Sequence, residues 1–202
     1  MKFFYLLILV FISCCSCQTR DFDSVAELRQ FIRQDKYGLT KAAKPRGYSV
    51  RVTCLPTDMM VFQELNSLDV PQSELDRLRK KYNEHYYFLM EISRDDREAL
   101  MMNNDSEVYG DLVSTLSFRM GDYVNMTSSR KDTVALEDFI LDRTYGLANS
   151  TNLMFVFEKK ELPPDQQLAL HLGEFGLNIG QQHFQFAKKD IDQMPTLKFS
   201  IN

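Results

Sequence analysis

Glycine and proline are scarce in this chain, 8 and 6 of 202 residues, which excludes collagen-like and low-complexity architectures. A cationic excess is missing as well. Lys and Arg number 24 against 28 Asp and Glu, a formal net charge of -4. No basic surplus exists to meet phosphates, so no nucleic-acid partner is expected. Cysteine is sparse and poorly placed for staples: of 4 in all, Cys14, Cys15 and Cys17 stand near the N-terminus and Cys54 is alone in the rest. Disulfide-stapled secreted domains need pairs, so the folded part must be held by its core. The sequence also lacks a P-loop, a G-x-G-x-x-G fingerprint and a G-x-S-x-G elbow. Gly173, Gly176 and Gly180 are spaced as turn glycines instead.

What is present is apolar and aromatic. With 15 Phe, 9 Tyr and 44% hydrophobic residues, wholesale disorder is excluded. At this length one domain is the expectation. The one long apolar run, residues 3–12, follows Lys2 and precedes a cluster of small residues. As a helix it spans about 15 Å, against roughly 30 Å of bilayer hydrocarbon. That is too short for a permanent transmembrane helix and has the layout of a secretory signal peptide. A buried N-terminal helix or strand is the competing reading, and the absence of any polar face argues against it.

Ser13-Cys14-Cys15-Ser16-Cys17, directly after the apolar run, resembles the lipobox of bacterial lipoproteins. In that family the signal is cut just before a Cys, whose sulfur carries a diacylglycerol and whose amine is acylated. The resemblance covers residues 1–17 and implies a signal peptide over residues 1–16 and lipidation at Cys17; the residues that follow read as a polar tether over 17–23 and a single globular domain over 24–202. Cys17 has a small residue, Ser16, immediately before it. Cys15, with Ile12 and Ser13 in the preferred places, and Cys14, with Ser13 before it, are the alternative sites. The resemblance therefore implies a lipid-anchored protein of the bacterial envelope, in the outer membrane and facing the periplasm or the exterior. In that setting the sequons at Asn104, Asn125 and Asn149 are chance matches.

The mature sequence reads as α+β: a largely antiparallel sheet or sandwich-like core with three or four inserted helices. Ser24 and Glu27 form a capping box ahead of Val25, Leu28, Phe31 and Ile32, which predicts a helix. Helices are also predicted after Pro56 and after Pro71, the latter with a basic face of Arg77, Arg79, Lys80 and Lys81. Residues 48–55, 86–92 and 153–157 read as strands, 168–172 as a strand or a short helix, and Phe184, Phe186, Leu197, Phe199 and Ile201 as two more strands. Residues 95–98 are expected to open a short helix with Asp95 as N-cap. The alternation of Leu112, Ser114, Leu116 and Phe118 predicts a strand, and residues 133–142 a helix with Leu136, Phe139 and Ile140 inward.

Groups that could carry chemistry are few. His171, Glu174 and His183 are weak candidates for a metal site: two imidazoles and a carboxylate suffice for a divalent ion. If residues 168–172 are a strand, however, positions three apart diverge. His85 completes the histidines. Cys54 falls on an apolar face, as an inert buried thiol does. The pairs Asp95/Asp96 and Asp190/Asp192 could serve acid–base work but sit where caps and turns are needed. Met101, Met102 and the methionines of residues 120–126 read as core filling or as an adaptable binding surface. The expectation is a binding or accessory module with a protein partner in the envelope, without catalysis, cofactor, metal or covalent intermediate. The alternatives are an envelope hydrolase with a dispersed site and a small inhibitor- or immunity-type lipoprotein.

Overall fold

A computed structural model describes residues 20–102 and 105–201; Cys14, Cys15, Cys17 and the sequon Asn104 lie outside them. Eight strands of four or more residues carry the fold among the described residues: β1 (Thr40–Ala43), β2 (Ser49–Leu55), β3 (His85–Arg94), β4 (Val124–Ser128), β5 (Leu136–Asp142), β6 (Thr151–Glu158), β7 (Gln167–Leu172) and β8 (Gln182–Ala187). They form two antiparallel sheets. One has the order β1-β2-β3-β6-β5, the other β8-β7-β4 with the short Thr133–Val134 strand at its edge. The helices are α1 (Val25–Ile32), α2 (Thr57–Leu65), α3 (Gln72–Tyr82), α4 (Ser106–Phe118) and α5 (Lys188–Asp192). The chain is an α+β fold, as its sequence implies.

The sheets face each other because each puts an unbroken apolar set on one side. Val50, Val52 and Cys54 of β2, Phe88, Met90 and Ile92 of β3, and Leu153, Phe155 and Phe157 of β6 are buried against Met126, Leu168, Leu170, Phe184 and Phe186. Phe88 joins the layers, its ring 5.0 Å from that of Phe186 and 5.9 Å from that of Phe157, both edge-on. At the margins β8 approaches β1 and β4 approaches β5, so the sandwich nearly closes.

On its outer side the first sheet carries a helical layer. The Ser24 hydroxyl accepts from Glu27 N at 3.2 Å and starts α1, which buries Leu28 and Ile32 against Leu55, Met59, Met60 and Tyr87. Helices α2 and α3 close over Val61, Val70, Leu75 and Leu78. Two short parallel pairs tie the chain ends to this layer, Asp21–Phe22 with Thr196–Leu197 and Asp69–Val70 with Ser200–Ile201. The stretch read as a tether is thus part of the fold from Asp21 onward.

Three elements differ from the sequence reading, each for a local reason. Residues 112–118 are helical, in α4. Asp105 caps that helix, accepting from Glu107 N at 2.8 Å. Leu112 and Leu116 are four apart, a spacing that satisfies both a period of 2 and one turn of helix, and Phe118 is 79% exposed. Residues 133–142 are extended. A register shift between Val156 and Phe157 inserts an extra residue in β5, and such a bulge breaks the two-residue alternation. Leu136 and Phe139, three apart, therefore both face the core, which imitates a helical period. Ile140 lies on the outer face at 58% exposure instead of pointing inward. Asp95 and Asp96, both at positive φ (52° and 54°), form the two-residue turn of a hairpin that pairs Arg97–Glu98 back onto β3. Asp95 is not a helix cap.

Candidate functional site

The structure divides the sequence candidates rather than assembling them. His171 and His183 are direct cross-strand partners on β7 and β8. Their Nδ1 atoms share a hydrogen bond at 2.8 Å, and Thr127 Oγ1 stands 2.9 Å from His171 Nε2. Desolvation, then the neighbouring His183, pull the His171 pKa below its ordinary value. Glu174 lies past the end of β7 and serves a different purpose. Its carboxylate accepts from the N–H groups of Gly176 at 2.9 Å, Asn178 at 2.7 Å and Gly180. That gathers a loop whose Phe175, Leu177 and Ile179 are buried in the core. Among the described residues no group of three or more His, Cys, Asp or Glu is placed to hold a metal ion.

The other candidates are also absorbed by the fold. Cys54 is fully buried, and burial pushes its thiol pKa far up, away from the thiolate that reactivity needs. Asp192 pairs with Lys188, while Asp190, on α5 rather than in a turn, packs where a Cβ at Gly38 would collide with it. Met120 and Met126 are core residues at 0% exposure. The basic face of α3 is largely neutralised: Arg77 pairs with Glu74 and Glu64, Lys81 with Glu64, and Arg79 with Asp58. Arg79 Nε and Nη2 donate to the two oxygens of the buried Asp58 at 2.8 and 2.7 Å, and Leu197 N donates to the same carboxylate at 2.8 Å. This latch joins α2, α3 and the C-terminal segment.

Two concavities stand out among the described residues. The larger is a groove of 1230 Å³ over the outer face of the first sheet. Its floor is Leu89 of β3, Met154 and Val156 of β6 and Ile140 of β5; its helical wall is Ile32 of α1 and Met59, Met60 and Phe62 of α2. The opposite wall is acidic, with Glu137, Asp138 and Asp142 along β5. β5 pairs with β6 alone among the described strands. Glu91, at one side of the floor, pairs with Arg33 at 2.6 Å through Oε1, but its buried Oε2 has no hydrogen-bond partner, Arg51 standing 3.7 Å off. That oxygen is enclosed by the protein and compensated by the charge of Arg51 rather than by a hydrogen bond.

The smaller is a pocket of 590 Å³ between the first turn of α2, the last turn of α3, Lys159 after β6 and the α5 segment. Leu55, Pro56, Ile191, Met194 and Pro195 line it with apolar surface, and Thr57, Lys80, Asn83 and Lys159 with polar groups. Burial pushes the Tyr86 hydroxyl at its wall up to about 12.

No protein-family profile, curated protein or solved structure matches the chain. The groove therefore rests on geometry alone. The sequence reading did not find it, although a signal was present. Strands β3 and β6 read HYYFLMEISR and TNLMFVFE, apolar on both faces, and a strand of that kind is covered on both sides. The helices α1 and α2 cover only part of the outer one.

Proposed function

We propose that the chain is a lipid-anchored protein of the bacterial envelope whose folded part binds a protein partner in the groove over the first sheet. The observation that carries the binding reading is the half-covered outer face of that sheet. Three strands, β3, β6 and β5, carry the floor. At about 4.8 Å between strands they offer the width of a single helix, about 10 Å across. Helices α1 and α2 already pack on this face, so a third one in line with them completes the layer. The chemistry of the occupant follows from the walls. Leu89, Met154, Val156 and Ile140 call for an apolar stripe, and pliant methionine side chains adapt to its shape. The exposed acids of β5 call for Lys or Arg beside that stripe. The partner is a cationic amphipathic helix, bound in helix-in-groove fashion.

The probe is a pair of synthetic 18-residue helices, one of Leu and Lys and one of Leu and Glu with the same apolar stripe, titrated into the full chain with methyl-labelled methionine. The Leu/Lys helix shifts the methyl signals of Met59, Met60 and Met154 and leaves that of the core residue Met126 in place. Charge reversal on the exposed wall, Asp138→Lys with Asp142→Lys, weakens it at least tenfold. Equal response to the Leu/Glu helix, or unchanged affinity in the reversed variant, overturns the reading.

A further inference from the structure

The smaller pocket holds charges that the fold does not use. Both acids on its wall are neutralised within the protein: Asp58 by the two-point contact of Arg79 and by Leu197 N, and Asp192 by Lys188. The remaining cations, Lys80 and Lys159, form no ion pair among the described residues. Both line the one pocket. Lys159 Nζ donates to Asn83 Oδ1 at 2.6 Å, and Asn83 lies three residues beyond Lys80 at the end of α3, a spacing that puts the two side chains on one side of the helix. Lys159 is solvent-exposed at the pocket's edge, yet its ammonium is held below the ordinary lysine range. Desolvation at the wall comes first and the like charge of Lys188 second. Two lysines without an ion-pair partner at a partly desolvating wall leave positive charge uncompensated there, and a bound anion offsets it. The two helix ends that border the pocket, the first turn of α2 and the last of α3, have opposite dipoles and largely cancel, leaving the lysine pair to decide the sign. The volume is that of a small-molecule site.

We propose that this pocket binds a small phosphate monoester, its phosphate between Lys80 and Lys159 within reach of Thr57 and Asn83, and its organic part against Pro56, Ile191 and Met194. A monoester carries a charge of about −1.5 to −2 at neutral pH, matching two ammonium groups, whereas a single carboxylate would leave one uncompensated. The site adjoins the groove, with Leu55 and His85 bordering both, but neither lysine lines the groove and the proposal stands or falls independently of it.

The test is calorimetric titration of the full chain with butyl phosphate and, in parallel, with butanol. Butyl phosphate binds with one-to-one stoichiometry and butanol does not. Lys80→Met combined with Lys159→Met lowers its affinity at least tenfold, while Arg77→Met, on the same helix but engaged with Glu74 and Glu64, leaves it within twofold. Both substitutions are at exposed positions, and coincident urea midpoints establish that the variants are folded. The proposal fails if butanol binds as well as butyl phosphate, if neither binds, or if the double variant keeps its affinity.

Discussion

Two glutamates show how single carboxylates shape irregular backbone in this protein. Glu98, buried to 3% exposure, accepts from Thr144 Oγ1, from Gly146 N at 2.8 Å and from Ala148 N at 3.1 Å. Glu174 does the same for the loop after β7, with Arg46 fastening that loop through Asn178. Partial burial works against ionisation of Glu174. The donors at Gly180, Gly176 and Asn178, with the charge of Arg46, outweigh it and hold the carboxyl below its ordinary 4.5. A carboxyl lowered by folding stabilises the native state above the unfolded-state value, and that contribution is lost as the pH falls through the folded-state value. The urea midpoint of the native sequence should therefore decline between about pH 6 and pH 3 more steeply than that of Glu174→Gln. The variant should be weaker at neutral pH by about 1 kcal/mol. Parallel acid limbs would show that the carboxylate charge plays no part. The H-x-x-E spacing drew attention to this residue in the sequence. Its actual task depends on three amides whose positions follow from the loop's path, which spacing does not encode.

At the level of elements, coincidences of period separate what was legible from what was not. α1 was legible because its cap and its apolar face lie within nine consecutive residues, Ser24 to Ile32. α4 was not, because Leu112 and Leu116 fit two periods at once. β5 was not, because its bulge puts Leu136 and Phe139 on one face. The turn at Asp95-Asp96 is a further case. Both residues occupy the left-handed region, where a two-residue hairpin loop requires positive φ and Asp-Gly or Asn-Gly is preferred. Asp96→Gly should raise stability by about 0.5 kcal/mol, and Asp96→Val lower it by about 1 kcal/mol, since a β-branched residue tolerates that conformation poorly. Thermal unfolding of the two variants measures both. A loss in the glycine variant would mean that the Asp96 side chain, and not the backbone, stabilises the turn.

At the scale of the whole molecule, the helical layer meets the sandwich where Leu28, Ile32, Met59 and Met60 pack on Leu55 and Tyr87, and each layer has a centre of its own. Phe88 spans the two sheets, and the Asp58–Arg79 latch holds α2, α3 and the C-terminal segment together. Both concavities lie beside this layer. The proposed anchor bears on their position. From Cys17 to Asp21, where pairing with Thr196 begins, four residues reach at most about 14 Å. An acyl anchor at Cys17 would therefore hold the domain close to the bilayer rather than on a long tether. No helix of the described residues is long and apolar enough to cross a membrane. Replacing Cys14, Cys15 and Cys17 together by Ser should release the protein from membrane fractions, since stable attachment requires acyl chains. Retention of the triple variant on the membrane would refute the anchor.

The sequence by itself determined the α+β class, the amphipathic helices α1 to α3 and the central strands β2, β3 and β6. These depend on contiguous patterns of apolar residues and caps, which neighbours along the chain supply in full. It also put Cys54 on the apolar side of its strand with Val50 and Val52, where the structure finds it buried. Only the tertiary structure decided that His171 meets His183 rather than Glu174, that the acids of β5 face the methionines of α2 and β6 across a groove, and that Lys80 and Lys159 share a pocket. Each of those encounters joins residues far apart in the chain, and strand register and helix packing are set by the burial of the whole core at once, a sum over all contacts that no local window contains.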